Sequence, residues 1–281
     1  MEFNEIAEKH TKLLLDIIES YRIKIRDIES ELYTDFFNDF SGKVVIQRGR
    51  IFANASTLNN LPAWKKYYKK SAELGSWIVS KMKEISFSLN NYFGFVTKKQ
   101  VSKEVTEASK FLLSQIGFDG EKLTDKGFLQ MLTRDITPER RIKLFALQAI
   151  NAGKSLTDFQ KDLKKLISGD KAAGRKGVVA AHYKTNSDTL FSEFDRTLSF
   201  KVAEKYELHY VLWSGPTLKS SRPFCRRRKG KSFSVAEIKA MDKETWAGKI
   251  PGQSTIISAG GYNCIDNLLY ITQELYEGFT P

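Results

Sequence analysis

Residues that most often carry chemistry are scarce in this chain. Among 281 residues there are two cysteines, Cys225 and Cys264, and three histidines, His10, His182 and His209. Neither cysteine has a close cysteine or histidine partner in sequence, whereas zinc sites are usually assembled from such short-spaced pairs. Cys225, Cys264 and His209 are the only combination in motif order, and their spacing does not ask for a metal. Adding Asn263 as an orienting group gives no thiol-protease pattern either. The Gly-x-x-x-x-Gly-Lys-Ser/Thr loop of a nucleotide-driven motor is absent. So is any run of about eighteen apolar residues, and no membrane segment is expected. Met1-Glu2-Phe3-Asn4-Glu5 opens without the basic and apolar segments of a signal peptide. The expectation is maturation in a reducing cytoplasm, with both cysteines as buried thiols and a disulfide or a reactive thiol as the alternatives.

Converging acids are lacking as well. Metal-dependent nucleases bring two or three carboxylates to one point, but Asp158 and Asp162, or Glu193 and Asp195, fall along helix faces where solvation accounts for them. His10 is placed on a polar N-terminal helix and His182 at a helix surface or cap. No catalytic residues, no cofactor and no metal follow from the sequence, and an enzyme is not expected.

Positive charge is what the chain has in excess. Lys and Arg number 45 against 33 Asp and Glu, a formal charge of +12 and a pI near 9.5. Nucleic acid is the commonest partner for such a surface, with an acidic protein next. Arg222, Arg226, Arg227, Arg228, Lys229 and Lys231 place six cations in ten positions with no acid among them. A turn of that composition can contact several phosphates, meet an acidic groove on a protein, or simply be solvated. A second basic cluster, Lys65, Lys66, Lys69 and Lys70 around Tyr67 and Tyr68, reads mainly as the wet flank of an apolar helix stripe. Lys171, Arg175 and Lys176 lie in a glycine-bounded basic loop at 169–177.

A chain of this length can bury two cores. Leu14, Ile18, Tyr21, Ile25, Ile28 and Leu32 recur at helical spacing, and so do Trp64, Tyr67, Ser71, Leu74, Ile78, Met82, Ile85, Leu89 and Tyr92 after Pro62. Two long helices are predicted, able to pair as an antiparallel hairpin, although an intermolecular coiled coil would use the same seam. Between them, 43–52 is either a short strand pair or an irregular excursion. The stretch 98–137 is helix interrupted at Gly117, Gly120 and Gly127. Thr137-Pro138 then opens a helix with a capping hydroxyl and a proline in its first turn. Gly153 ends that helix and Ser155 caps the next. One longer helix is predicted from about 178 to 205, then a strand over 208–213. A strand over 231–233 follows a turn at Gly230, and Ser234 to Glu237 forms a capping box. Beyond it, 255–258 is expected to be a strand, and Gly260-Gly261 to bend into a last helix with Ile265, Leu268, Leu269, Thr272 and Leu275 on its inner face. Cys225 and Cys264 are expected to meet in one small core. The fold class is α+β, predominantly helical: a helical N-terminal domain over 1–135, then a C-terminal domain over 136–281 with helices at 137–205 and a small sheet with helices at 206–281.

The last third also resembles a known family. An aromatic strand enters a Ser-Gly step at Ser214-Gly215. Ser221-Arg222-Pro223-Phe224-Cys225 comes next, then a basic stretch into the turn from Lys229 to Phe233. The capped helix, Trp246-Ala247-Gly248 and Gly260-Gly261-Tyr262-Asn263-Cys264 complete the order. These six blocks over roughly fifty-five residues resemble the phage head morphogenesis proteins typified by the minor head protein F of phage Mu. One departure is that Ile265-Asp266 stands where the family has Arg-His. The resemblance implies a structural protein of the virion, inside the head near the portal and in the host cytoplasm during assembly. Its implied partners are the portal protein, procapsid or scaffold proteins, and double-stranded DNA. It would assist head morphogenesis and DNA packaging or delivery by binding; charge alone, not the resemblance, points to Arg222, Arg226, Arg227, Arg228, Lys229 and Lys231 as the contact residues. The alternatives are a toxin-type effector carrying a Mu F-like module and a basic DNA-binding protein not tied to a virion.

Overall fold

The computed structural model of the chain describes residues 2–170, 172–187 and 189–279. Lys171 of the basic loop lies outside them. Helix accounts for 64% and strand for 8%, which makes the fold a predominantly helical α+β, as the periodicity predicts. In chain order, helix α1 (Phe3–Ser41) leads into strands β1 (Val45–Gln47) and β2 (Arg50–Phe52). Helices α2 (Ala55–Asn59), α3 (Pro62–Thr97), α4 (Ser102–Gln115), α5 (Phe128–Arg134), α6 (Thr137–Asn151) and α7 (Leu156–Ser168) follow. Then come α8 (Val178–Ser187), α9 (Leu190–Lys205), β3 (Tyr210–Ser214), α10 (Pro223–Arg226) and β4 (Ser232–Ser234). The chain closes with α11 (Val235–Ala240), α12 (Thr255–Ser258), β5 (Asn267–Ile271) and α13 (Gln273–Phe279).

Tertiary contacts gather the chain into two compact units, neither continuous in sequence. The first joins Met1–Glu19, Val79–Glu121 and Ser187–Pro281; the second joins Ser20–Ile78 and Lys122–Asn186. The border expected at 135/136 falls inside the second unit.

In the second unit, α1 and α3 pair antiparallel. Tyr21 stacks near Trp77 at 6.3 Å, Glu31 pairs with Lys70, Asp35 with Lys66, and Phe36 meets Trp64 at 5.2 Å. Of the two stripes, Tyr21, Ile25, Ile28, Leu32 and Trp64 to Ile78 are buried in this unit, and Leu14, Ile18 and Met82 to Tyr92 are buried in the first. The seam is therefore filled from within the chain. Lys66 and Lys70 are the solvated flank, each tied to an acid of α1. Asp39 caps α3 across the hairpin, accepting the Ala63 N–H at 2.7 Å. β1 and β2 form the predicted strand pair, turning at Arg48 and Gly49, whose φ of 49° and 76° suit a tight hairpin turn.

One cap detail differs from expectation. The α6 start is held by Asp135, which accepts both the Thr137 N–H at 2.8 Å and its hydroxyl at 2.7 Å; the Thr137 hydroxyl is spent as a donor. Ser155 caps α7 as predicted, accepting the Asp158 N–H at 3.1 Å. The predicted single helix over 178–205 is two helices, α8 and α9, with Thr189, a branched polar residue that favours a helix end, at the start of the second. His182 is enclosed rather than superficial, with Nε2 3.0 Å from the Leu132 carbonyl and Nδ1 3.4 Å from Asp135.

In the first unit the sheet has the order β4-β3-β5, antiparallel throughout, with Val211 opposite Phe233 on one side and Tyr270 on the other. The third strand is β5, not 255–258, which forms the short helix α12. Every residue of β5 is buried. Its consecutive run Leu268-Leu269-Tyr270-Ile271 satisfies helical and strand periodicity equally, so spacing alone could not choose. Burial on both faces decides it: α9 packs on β5 from one side, and Tyr92 of α3 donates to the Tyr270 carbonyl at 2.8 Å. The final helix accordingly begins only at Gln273, twelve residues after Gly261.

Candidate functional site

The blocks that carry the family resemblance fold onto one another. β3 delivers Trp213, fully buried, edge-on to Phe224 at 5.7 Å. Phe224 stacks on Trp246 at 3.7 Å and 13°, and the Trp246 indole N–H donates to the Gly260 carbonyl at 2.9 Å. Arg222 donates to the Tyr262 carbonyl at 2.6 Å and lies against Gly248, where a side chain would collide with its guanidinium. The Tyr262 N–H in turn donates to the Gly248 carbonyl at 2.8 Å.

The two cysteines meet as expected, reduced and buried, with their sulfurs 3.9 Å apart. The Gly260 N–H donates to Cys264 Sγ at 3.2 Å. The hydrogen bond from Cys225 and the charge of Arg196 hold the Cys264 thiol below its ordinary value, against burial and Asp266; the same bond and burial push the Cys225 thiol up. His209 is exposed and takes no part.

Asp266 falls within the stretch expected to be the last helix, and that expectation is corrected. It is buried immediately before β5. Oδ2 accepts the Trp213 indole N–H at 3.0 Å and Oδ1 pairs with Lys229 at 2.8 Å. Gly215 passes so close that a Cβ there would lie 2.7 Å from Asp266 Oδ1. Behind it, the fully buried Arg196 donates to the carbonyls of Ile257 at 2.5 Å and Asp266 at 2.6 Å.

This arrangement divides the six cations. Arg222 is seated on Tyr262 and Gly248. Arg226 donates to the Lys219 carbonyl at 2.7 Å. Arg228 lies 3.6 Å over the Phe224 ring and reaches both Glu244 oxygens at 2.9 Å. Lys229 is drawn inward to Asp266 and the Pro216 carbonyl. Arg227 and Lys231 are exposed, with no side-chain partner among the described residues. Replacing both with alanine is therefore expected to lower the slope of log affinity against log salt for duplex DNA by about 1.8, at about 0.9 per lost phosphate contact. An unchanged slope in a binding titration from low to moderate salt would remove these two residues from any DNA interface.

Two further features escaped the sequence. His10 is buried, its Nε2 2.8 Å from Asp195 and its Nδ1 2.9 Å from Ser88. Asp195 is thus an interior residue rather than part of a solvated face. The order hydroxyl, imidazole, carboxylate is that of a nucleophile, base and orienting acid. Ser88, however, lies inside α3, where the backbone N–H groups are committed to the helix and offer no oxyanion site. The three residues act as a polar clamp between α1, α3 and α9. The available signal was the placing of Asp195 on α9 beside Phe191, Phe194 and Leu198, at helical spacing.

Asp242 is the second. It caps α12 from thirteen positions away, accepting the Thr255 N–H at 2.6 Å and the Ser254 hydroxyl at 3.0 Å. Burial pushes its carboxyl up, but the bonds from Thr255 and Ser254 and the charge of Lys249 outweigh this and hold it below the usual carboxylate range. Asp242→Ala is expected to cost about 1 kcal/mol of stability. A depressed carboxylate stabilises above its unfolded value of about 3.9 and ceases to do so as pH falls through the lower folded value. The gap between wild type and variant in thermal melts should be constant near neutrality and close only in strong acid. A gap that closed between pH 7 and 5 would contradict this.

No family model matches the chain, no curated protein matches it, and no solved structure matches it. Among the described residues no helix is long and apolar enough to cross a membrane.

Proposed function

We propose that the chain is a structural protein of a phage head, a minor head protein that works at the portal vertex by binding and assists head morphogenesis and DNA packaging or delivery. The observation that carries this reading is the interlocking of the blocks that resemble the Mu F family. Arg222 sits on Gly248, Phe224 on Trp246, Trp246 on Gly260, and Cys225 against Cys264. Residues scattered over 222–264 thus have one common purpose, a small module whose glycines and aromatics are spent on shape. The exposed Arg227 and Lys231, in a chain of charge +12, suit an anionic partner such as DNA or an acidic protein face.

The test is assembly. The tagged chain should co-sediment with portal protein or procapsids and be present in purified particles. Its absence from particles, together with no portal binding in pull-down, would sink the reading. Duplex DNA affinity that is the same with and without portal protein, in a chain missing from particles, would instead favour a DNA-binding protein outside the virion.

A further inference from the structure

We propose that Cys225, Cys264 and Asp266 form a binding site for one thiophilic divalent cation of the zinc type. The inference stands on this cluster alone and is independent of any role at the portal.

Geometry comes first. A tetrahedral zinc ion with bonds of about 2.3 Å to two thiolates sets their sulfurs about 3.8 Å apart. The observed separation is 3.9 Å, and the carboxylate of Asp266 completes a trio whose ligand atoms all lie within 4.8 Å of one another. All three residues are buried. At this distance the two reduced sulfurs are in contact but well beyond the roughly 2.05 Å bond of a disulfide, and a tetrahedral metal could bridge them with little movement of either.

The surroundings are also those of a ligand set. Metal-binding side chains are oriented by outer hydrogen bonds. Here the Gly260 N–H points at Cys264 Sγ, while Trp213 and Lys229 fix the two oxygens of Asp266. Gly260 has to be glycine for Cys225 to approach, since a Cβ on it would overlap that sulfur. Binding is balanced without burying new charge: M²⁺ plus two thiols gives a dithiolate complex and two protons released to solvent, so the pocket's net charge is unchanged. Three protein ligands leave a fourth position for water or another small donor. Arg196 holds the backbone of Cys264 and Asp266 through Nη1, and its Nη2 is buried without a hydrogen-bond partner among the described residues.

The experiment uses the full chain, reduced, stripped with a chelator and desalted without oxygen, with Co²⁺ as the probe. One equivalent of Co²⁺ per chain should produce thiolate-to-cobalt charge-transfer absorption, and Zn²⁺ should abolish it by displacement. Cys225→Ser and Cys264→Ser should each weaken Co²⁺ binding by more than about 100-fold, beyond the 10- to 100-fold loss typical of an outer hydrogen-bond partner. Circular dichroism melts check that both serine variants fold. Should either fail to fold, thiol labelling of the wild type decides the matter, because Zn²⁺ should protect both cysteines at one equivalent. No charge-transfer band in the wild type, a band retained in either serine variant, or labelling unaffected by Zn²⁺ would each overturn the site.

Discussion

Gly261→Ala is expected to destabilise the protein by about 4 kcal/mol or more, a loss at the far end of what single substitutions produce. Two costs add. Gly261 has a φ of 93°, a region that L-residues enter only at a cost of roughly 1–2 kcal/mol. The added Cβ would also fall on the Gly248 carbonyl, and the nearest obstacles are backbone atoms with no rotamer to yield. That carbonyl is already pinned by the Tyr262 N–H, and Gly248 by Arg222 on its other side. Relief would therefore have to pull apart the Trp246 turn. Gly252→Ala is the control: its φ is 73° but nothing lies within 4 Å of the built Cβ, so about 1 kcal/mol is expected from conformation alone. Urea unfolding of the two variants should differ severalfold in lost stability. Equal losses would mean that the contact between the two loops is not held as described.

Asp266→Ala should cost about 3–5 kcal/mol, measured in the presence of a chelator so that any bound metal is not counted. The reason is what it leaves behind: the Lys229 ammonium, 9% exposed, and the indole N–H of Trp213, fully buried, both lose their acceptor. Lys229→Met alone strands the carboxylate and should be costly too. The double variant should be less unstable than the sum of the singles, with a coupling energy in the range of about 0.5–3 kcal/mol seen for contacting pairs. Strict additivity in that cycle would show that the two groups do not sense each other.

Those two predictions turn on residues of different legibility. The glycine pair was visible at once, since Gly-Gly before Tyr-Asn-Cys can only be backbone punctuation. What it punctuated was not, because Asn267–Ile271 is apolar at every position and so carries no period. The long helices were the opposite case: their stripes over Leu14–Leu32 and Trp64–Tyr92 have a period that survives any context, and every expected position is buried. Charge was the poorest guide. Arg222 to Lys231 read as one basic turn open to phosphates, an acidic groove or solvent, yet Arg228 and Lys229 are drawn toward Glu244 and Asp266, acids sixteen and thirty-seven positions away in sequence. A sequence shows how many cations a turn holds, but not which have an anion waiting in three dimensions. His10 and Asp195, 185 positions apart, were hidden for the same reason.

The composition of the first unit has a consequence for synthesis. Its fully buried strand, β5, lies late in the chain, and its companions include the first helix: Asn267 Nδ2 lies 3.4 Å from Thr11 Oγ1 across 256 positions. A chain emerging at about 5–20 residues per second has the apolar stripes at 3–19 and 79–97 outside the ribosome for roughly ten seconds or more before the strand that covers them exists. The second unit has all its parts by residue 186 and can close earlier. Cotranslational folding must therefore run out of order with the sequence, and the N-terminal turns of α1 wait, exposed, for the final strand.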